Sequence, residues 1–277
     1  MKKRITDDTA NIVGFSSWLK SEYPKLYNEL ILVLKKHNIR YRQIPYTKDI
    51  WCRDYMPIQI SEDCFVCYRY QPDYLLKNES CKRYITDSHN LCTRLKLNVR
   101  NTDIIIDGGN VVKIGNKIIM TDKVFKENST FDSSVLQKEL ECLFECEIVF
   151  LPWDCLEEYG HADGIVKPIS EDTVLITNYD DFDIAYYKKF KKILSRFFKV
   201  ESLHYDVKKR DARNWVYINF LTIGKLIILP KLNIEEDQQA LSQMRCFYPD
   251  YDIEQLDIEE LVAAGGGLNC ISWCYYQ

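Results

Sequence analysis

Four short motifs recur at nearly even intervals along the 277-residue chain, and this recurrence constrains its fold more than any other feature. The motifs are W-C-R-D at residues 51–54, D-G-G-N at 107–110, G-H-A-D-G at 160–164 and G-G-G-L-N-C at 265–270. Asp54 and Asp107 are 53 positions apart, Asp107 and His161 are 54 apart, and Cys270 follows after 109 more. A repeated interval of this size is typical of arrays of similar supersecondary units. We therefore expect each unit to bring one motif to a shared centre.

The segments between the motifs repeat one order, which is strand, strand, helix, strand and functional loop. The clearest unit has strand patterns at 111–114 and 117–120 around the hairpin signal Gly115-Asn116, then a helical period at 133–144 and a strand at 147–151. Equivalent segments are predicted at 57–60, 64–70, 84–96 and 103–106, at 164–168, 173–178, 183–197 and 200–205, and at 220–224, 225–229, 235–246 and 252–256. An amphipathic helix at 16–37 and a strand at 39–46 precede the first motif.

Composition excludes several classes of protein. Hydrophobic residues make up 46% of the chain, which is ample for the core of one domain over residues 1–277. The formal net charge of −4 argues against a nucleic-acid partner and fits a cationic small molecule. No uninterrupted apolar run approaches the roughly 20 residues of a membrane span, so we expect no membrane partner.

The N-terminus and the cysteines together favour a cytoplasmic protein. The segment 1–8 is basic and then acidic, without the apolar stretch of a signal peptide. Eleven cysteines, an odd number, indicate reduced thiols rather than a disulfide framework. Cys64 and Cys67 have zinc-like spacing but no second pair near them in the sequence, so we expect no metal and no cofactor.

The four motifs, in this order, resemble those of the guanidine-modifying superfamily, and within it the branch of agmatine deiminases and bacterial peptidylarginine deiminases. That branch carries W-x-R-D, a [DE]-G-G-N turn, G-H-x-D-G and a glycine-rich stretch that ends in the nucleophilic cysteine. The resemblance covers the chain from about residue 40 to its end. It implies a five-unit pseudo-symmetric ββαβ α/β-propeller around a central channel, and cysteine-dependent hydrolysis of a terminal guanidine.

The resemblance assigns the covalent chemistry to Cys270 and His161. A thiolate can add to a guanidinium carbon, which is stabilised by three nitrogens, far better than a neutral thiol can. The histidine would protonate the departing amine and then activate water against the S-alkylthiouronium intermediate. The alternatives are that Cys270 is a small buried side chain and that His161 is structural.

Asp54 and Asp163 match the family's guanidinium-binding carboxylates. A carboxylate can accept paired N–H donors from the planar guanidinium and so orient its carbon towards the thiolate. Each could instead cap a turn, and Asp54 could pair with its neighbour Arg53.

Four further positions are expected to bind substrate or line its pocket. Asp107 stands where many agmatine deiminases have Glu, and we expect it behind the substrate or at the rim; Asn110 belongs to the same motif. Asn219 matches an asparagine near the channel, with strand-end hydrogen bonding as its alternative. Trp51 could cover the guanidinium face by a cation–π contact, or it could belong to the core.

Two departures from the family pattern change the pocket wall. They leave all four proposed catalytic residues in place, which are Cys270, His161, Asp54 and Asp163. Asn269 replaces the histidine that often precedes the nucleophile, and W-C-Y-Y at 273–276 replaces a T-Q-Q type tail. The lack of a secretion signal favours a small intracellular substrate, so agmatine and arginine-like small molecules lead as substrates, with arginine in a peptide next.

Other functions stay open at this point. The same intermediate serves amidinotransferases, and a non-catalytic guanidine-binding protein would keep the fold. A papain-type protease is disfavoured because its cysteine precedes its histidine, whereas here His161 precedes Cys270. Whether the chain forms a homo-oligomer is not decided by the sequence.

Overall fold

The computed structural model describes residues 5–277, so the first four residues of the N-terminal segment interpreted above lie outside the described residues. Within residues 5–277, fifteen strands form five three-stranded sheets. The strands are β1 (Ile12–Ser16), β2 (Arg40–Ile44), β3 (Ile58–Ser61), β4 (Cys64–Arg69), β5 (Val99–Ile105), β6 (Val112–Ile114), β7 (Lys117–Thr121), β8 (Glu147–Leu151), β9 (Val166–Pro168), β10 (Thr173–Ile176), β11 (Lys199–Ser202), β12 (Leu221–Ile223), β13 (Leu226–Lys231), β14 (Asp252–Asp257) and β15 (Trp273–Tyr275).

Helices connect the second and third strands of the units and also carry some of the loops. They are α1 (Ser17–Glu22), α2 (Pro24–Lys36), α3 (Cys52–Tyr55), α4 (Asp73–Leu76), α5 (Ser88–Arg94), α6 (Lys123–Glu127), α7 (Ser133–Phe144), α8 (Ile184–Leu194), α9 (Glu236–Phe247) and α10 (Glu259–Ala263).

All five sheets share one topology, which the repeat in the sequence predicts. The central strand of each pairs antiparallel with one neighbour and parallel with the other, as β7 does with β6 and β8. The sheet orders are β15-β1-β2, β3-β4-β5, β6-β7-β8, β11-β10-β9 and β12-β13-β14. The parallel partner always follows a helical crossover, which a parallel pair requires. The fold is the expected five-unit α/β-propeller.

Helix α7 illustrates why these segments fold as they do. The Asp132 side chain caps its N-terminus by accepting hydrogen bonds from the N–H groups of Ser134 and Val135. Leu136, Leu140 and Phe144 recur every four residues and are fully buried. Burial of each such side chain contributes about 2 kcal/mol, so this face holds the helix against its sheet.

Two predictions are corrected at the start of the chain. The single helix expected over 16–37 is two helices, α1 and α2, because Pro24 has no N–H to donate and its ring excludes a continuous helix. Strand β1 was not predicted, since its short, fully buried run has no alternation to distinguish it.

The remaining boundaries differ from the predictions by up to four residues, with β5 among the largest changes. It begins at Val99 rather than at residue 103, because Val99 already pairs with Phe65 of β4. Its polar residues 100–103 hid this extension from a hydrophobic pattern.

The ring closes where the two ends of the chain meet in one sheet. Strand β15 pairs antiparallel with β1, joining Ile12 to Tyr275 and Gly14 to Trp273. This pairing joins the first and last strands of the described chain in one propeller unit. Within the described part of the chain, no helix is long and apolar enough to cross a membrane.

Candidate active site

The repeated topology delivers five loops to one place. The third strand of each unit leads into a segment with one or more of the predicted site residues. Asp54 follows β2, Asp107 follows β5, His161 and Asp163 follow β8, Asn219 follows β11, and Cys270 follows β14. The turns that carry the second, third and fourth of these segments contact one another in succession. They surround a cavity of about 830 Å³.

The cavity wall includes most of the residues that the sequence predicts for the site. Six of them line it: Trp51, Asp54, His161, Asp163, Asn219 and Cys270. The exceptions are Asp107 and Asn110, which are both 2% exposed and lie behind the wall.

Asp54 is held with its carboxylate facing His161. Its Oδ1 accepts a hydrogen bond from the Gly109 N–H at 3.1 Å and lies 3.6 Å from His161 Nδ1. Burial raises the pKa of Asp54 to about 7; the histidine opposes this shift, whereas Asp107 and Asp163 add to it.

Arg53 does not pair with its neighbour Asp54. Its guanidinium instead lies 3.3 Å from Asp7, and its Nε donates to the Asn269 carbonyl at 3.3 Å. The Arg53 backbone N–H donates to the carbonyl of Cys270 at 3.0 Å. The first motif therefore supports the turn that carries the nucleophile while leaving Asp54 for the cavity.

His161 lies between two carboxylates. Its Nε2 is 3.1 Å from Asp107 Oδ2, and its Nδ1 faces Asp54. Burial alone would lower the pKa of His161, but Asp54 and Asp107 outweigh it and raise the pKa to about 10. The ring is therefore an imidazolium at neutral pH and can donate a proton to a leaving group.

Lys123 is a buried cation that the sequence analysis missed. It is 1% exposed, and its Nζ lies 3.1 Å from Asp73, 3.2 Å from Glu127 and 3.8 Å from Asp107. The same group donates to the Tyr159 carbonyl at 2.8 Å. Burial lowers the pKa of Lys123, but the carboxylates outweigh this and raise it. Lysine is usually solvated, so no sequence pattern marked this position.

Asp107 and Asn110 lie behind the cavity wall rather than on its surface. Asp107 contacts His161 and Lys123 instead of the cavity. The Asn110 side chain accepts hydrogen bonds from the N–H groups of Thr121 at 2.7 Å and Ala162 at 3.3 Å. Asn110 therefore fixes the turn after His161 against β7, and both residues act on the site through their neighbours.

Cys270 is hydrogen-bonded to Asn219. Both its Sγ and its backbone N–H donate to Asn219 Oδ1, at 3.2 Å and 3.3 Å. Burial, then Asp163 and Asp54, raise the pKa of the thiol well above its usual value. Cys270 is therefore a thiol at rest.

The glycines before Cys270 meet two local requirements. Gly265 has a φ of +100°, which side chains with a Cβ rarely adopt. A Cβ on Gly266 would lie 2.4 Å from the Trp51 ring, so the backbone packs directly on that indole. Trp51 consequently forms part of the wall beside the nucleophile turn.

Asp163 is anchored from behind by Asn269, the residue that departs from the family pattern. Asn269 Nδ2 donates to Asp163 Oδ2 at 2.6 Å, and Asn269 Oδ1 accepts from Lys167 Nζ at 2.6 Å. Burial lowers the pKa of Lys167. This lysine was also missed by the sequence analysis.

The cavity has a strongly acidic lining. Among the described residues that form its wall, seven are Asp or Glu and none is Lys or Arg. The seven are Asp49, Asp54, Asp154, Glu157, Glu158, Asp163 and Asp183. Aromatic rings complete the wall, notably Trp51, Trp153 and Trp215. Such a site attracts cations and offers π faces to them.

No cluster of three or more His, Cys, Asp or Glu side chains suited to a metal ion is present within residues 5–277. The donors at the cavity are arranged as acid–base and hydrogen-bonded groups.

Residues 18–275 match the model of the Porphyromonas-type peptidyl-arginine deiminase family. The chain belongs to this family. A Mycoplasma capricolum protein provisionally named agmatine deiminase is 25% identical over 219 residues, which cover 66% of this chain and 60% of that relative. The chain thus aligns with less than two thirds of that relative's length.

Solved structures of other proteins share the fold. The agmatine deiminase of Campylobacter jejuni, in a Cys-to-Ser variant with substrate bound, superposes with a TM-score of 0.80 at 17% identity, covering 100% of this chain and 97% of that one. An amidinotransferase from Microseira wollei superposes with a TM-score of 0.62 at 13% identity, covering 98% and 96%. At these identities the likeness concerns the fold.

Proposed function

We propose that the protein hydrolyses the terminal guanidine of a small cationic molecule, agmatine first among them, to a ureido group and ammonia. One observation carries the proposal. The cavity brings Cys270, His161, Asp54 and Asp163 together in a lining of described residues without Lys or Arg. A guanidinium entering this site would meet carboxylates on its N–H groups and a thiol near its carbon.

In the first half-reaction, Asp54 and Asp163 hold the guanidinium by its N–H groups. Cys270 releases its proton and its sulfur forms a bond to the guanidinium carbon, while the C=N electron pair moves onto nitrogen. His161, protonated at rest, donates its proton to the departing nitrogen. The C–N bond breaks, ammonia leaves, and a positively charged S-alkylthiouronium remains on Cys270.

In the second half-reaction, the neutral His161 takes a proton from water. The hydroxide adds to the thiouronium carbon, and the C–S bond breaks with its electron pair returning to sulfur. The ureido product leaves and His161 is again an imidazolium. The hydroxyl proton of the adduct passes to the Cys270 sulfur as the ureido C=O bond forms, and the proton that Cys270 released earlier ends on ammonia. The overall change is guanidinium plus water to ureido compound plus ammonium.

The acidic lining favours agmatine over free arginine. Agmatine carries an amine at its far end, which the carboxylates attract, whereas the α-carboxylate of arginine would meet the same charges and no Lys or Arg among the described lining residues. Arginine within a peptide lacks that carboxylate and ranks second.

A ureido-product assay tests the proposal on agmatine, free arginine, a blocked arginine peptide and methylated arginines. We expect agmatine to give the highest kcat/KM and free arginine the lowest. Absence of ureido product from every compound would refute the deiminase assignment. Parallel reactions with added amines and analysis for a new guanidine distinguish hydrolysis from amidine transfer.

We further propose that residues 1–277 form one domain that acts in the cytoplasm, with oligomerisation to be measured by light scattering. All eleven cysteines are free in the structure, and a reducing compartment would keep them so.

A further inference from the structure

Three buried polar side chains form a hydrogen-bonded chain directly behind the cavity. Lys167 is 5% exposed, Asn269 is 2% exposed and Asp163 is 3% exposed. Lys167 Nζ donates to Asn269 Oδ1, and Asn269 Nδ2 donates to Asp163 Oδ2, each at 2.6 Å. Only the last of the three lines the cavity.

The chemistry of the two outer groups fixes the orientation of the amide between them. An ammonium has only N–H donors, so it can pair only with the amide oxygen of Asn269. An ionised carboxylate has only acceptors, so Asp163 can pair only with the amide N–H₂. A flipped amide would lose both hydrogen bonds at once, which is costly in a buried position.

These hydrogen bonds also determine which oxygen of Asp163 is available to a substrate. Its Oδ2 accepts the hydrogen bond from the Asn269 amide, which leaves Oδ1 available to a ligand. The partner is a neutral amide, so Asp163 is held without being neutralised by a direct ion pair. A guanidinium in the cavity therefore meets a positioned carboxylate that keeps its charge.

The same asparagine controls the nucleophile turn. Asn269 immediately precedes Cys270, and its backbone N–H donates to the Asn219 carbonyl at 3.0 Å. Asn219 in turn accepts the Cys270 thiol. The side chain of Asn269 thus holds the carboxylate of Asp163. Its main chain is hydrogen-bonded to Asn219, which in turn holds the Cys270 thiol.

We propose that Lys167 and Asn269 are positioning residues that act through Asp163, fixing its carboxylate relative to Cys270 for guanidinium binding and attack. This inference rests on the proposed function. It predicts that removal of the Asn269 donor weakens guanidinium binding only while residue 163 is a carboxylate.

A double-mutant cycle tests whether the effect of Asn269 depends on the Asp163 carboxylate. In a Cys270→Ser background, agmatine binding is measured by calorimetry for Asn269→Leu, Asp163→Asn and the double variant. Leucine has the branching of asparagine but no hydrogen-bonding groups. We expect Asn269→Leu to weaken binding roughly 10- to 100-fold, the usual effect of losing a buried hydrogen bond to a charged group. In the Asp163→Asn background the same change should have little further effect.

Two controls separate positioning from general damage. Asn128→Ala removes another buried amide, which donates to the Ile105 carbonyl and does not line the cavity, and should leave agmatine binding unchanged. Lys167→Met should reproduce part of the binding defect, because Asn269 Oδ1 is then buried without its donor and the amide is held in place by Asp163 alone. Lys167→Arg retains donors for that oxygen and should recover part of the affinity.

Asn269→Asp provides a second route if the leucine variant does not fold. It keeps an acceptor for Lys167 but sets an acceptor against Asp163. The two carboxyl groups then share a proton with a raised apparent pKa. We expect kcat/KM for agmatine to fall steeply at neutral and alkaline pH and to recover as pH falls, because the introduced carboxyl can then donate to Asp163.

The outcomes distinguish failure of the proposed function from failure of the positioning role. Turnover of agmatine by the unmodified protein is measured first, and its absence with every guanidine counts against the proposed function. Given turnover, equal effects of the Asn269 change with and without the Asp163 carboxylate would overturn the positioning role. So would an Asn269→Asp variant whose pH profile parallels that of the unmodified protein.

Discussion

The Cys270 thiol donates its hydrogen bond to the Asn219 side-chain oxygen, at 3.2 Å. An amide oxygen is only an acceptor, so this contact exists for the thiol and is lost in the thiolate. The two carboxylates that would bind the guanidinium also oppose ionisation of the sulfur. A bound cation offsets their charge, and the ligand itself is therefore expected to promote formation of the nucleophile.

Alkylation rates test this substrate-assisted activation. Neutral iodoacetamide should label Cys270 slowly near neutral pH, whereas an amidine-bearing alkylator that mimics the guanidinium cation should label it much faster. Mass spectrometry of the labelled peptide as a function of time gives both rates. Equal rates at pH 7 would instead indicate a thiolate that is already formed in the free protein.

Replacement of the nucleophile should abolish turnover without unfolding the chain. Cys270→Ala removes the covalent route, and we expect kcat for agmatine to fall by at least about three orders of magnitude. Cys142→Ala, at an exposed cysteine, serves as the control and should keep full activity. Circular dichroism verifies folding of both variants. Turnover by Cys270→Ala near the normal rate would disprove the covalent mechanism.

The carboxylates should contribute both to binding and to attack. Asp54→Asn and Asp163→Asn each replace a charged acceptor by an amide that presents N–H groups to N–H donors, so KM should rise and kcat should fall. Steady-state kinetics on agmatine measure both parameters. Asp132→Asn, at an exposed helix N-cap where asparagine also caps well, is the matched control. Normal kinetics in both cavity variants would remove these residues from the site.

The protonation of His161 predicts how stability changes with pH. Its pKa rises from 6.5 to about 10 on folding, so the native state binds this proton more tightly than the unfolded chain does. The associated stability is fully present below about pH 6.5 and is lost as pH rises through about 10. His161→Gln should therefore flatten the fall in the free energy of unfolding across this window. Urea unfolding at a series of pH values measures it, with the exposed His204→Gln as control; matching slopes in both variants would contradict the assignment.

Lys123 should be important for stability as well as for the site. Lys123→Met would leave Asp73, Glu127 and Asp107 without their shared buried cation, and loss of one partner from such a cluster costs about 3 to 5 kcal/mol. Lys126→Met, on the same helix but largely exposed, is the comparison and should change the free energy of unfolding by less than about 1 kcal/mol. Urea titrations measure both, and similar values for the two variants would contradict the role of the buried ammonium.

The sequence predicts the architecture well because its signals are local. Hairpin turns, helical periods and motif spacing are each written within a few tens of residues, and the five repeated units follow from them. Strands β1 and β15 were missed because their pairing joins distant segments, and a short buried run lacks a period of its own.

The site is predicted less completely, for a related reason. Six of the residues expected at the cavity line it, because the family motifs name them directly. Lys123 and Lys167 were missed since a buried lysine is recognisable only from the carboxylates and amides that three-dimensional packing gathers around it. Asn269 was noticed as a departure, but its hydrogen bonds to Lys167 and Asp163 require the fold.

Closure of the propeller ring links assembly of the cavity to a pairing between the two ends of the described chain. Strand β15 begins three residues after Cys270, and its partner β1 is more than 250 positions earlier in the chain. Contacts at such separation form late, because the loop entropy is lost before they can compensate for it. A partly folded chain would therefore contain the Cys270 thiol without Asp54 and Asp163 placed beside it. Such a chain would have no special reactivity towards a guanidinium. The reactive arrangement of side chains is therefore expected only in molecules in which β1 and β15 have paired.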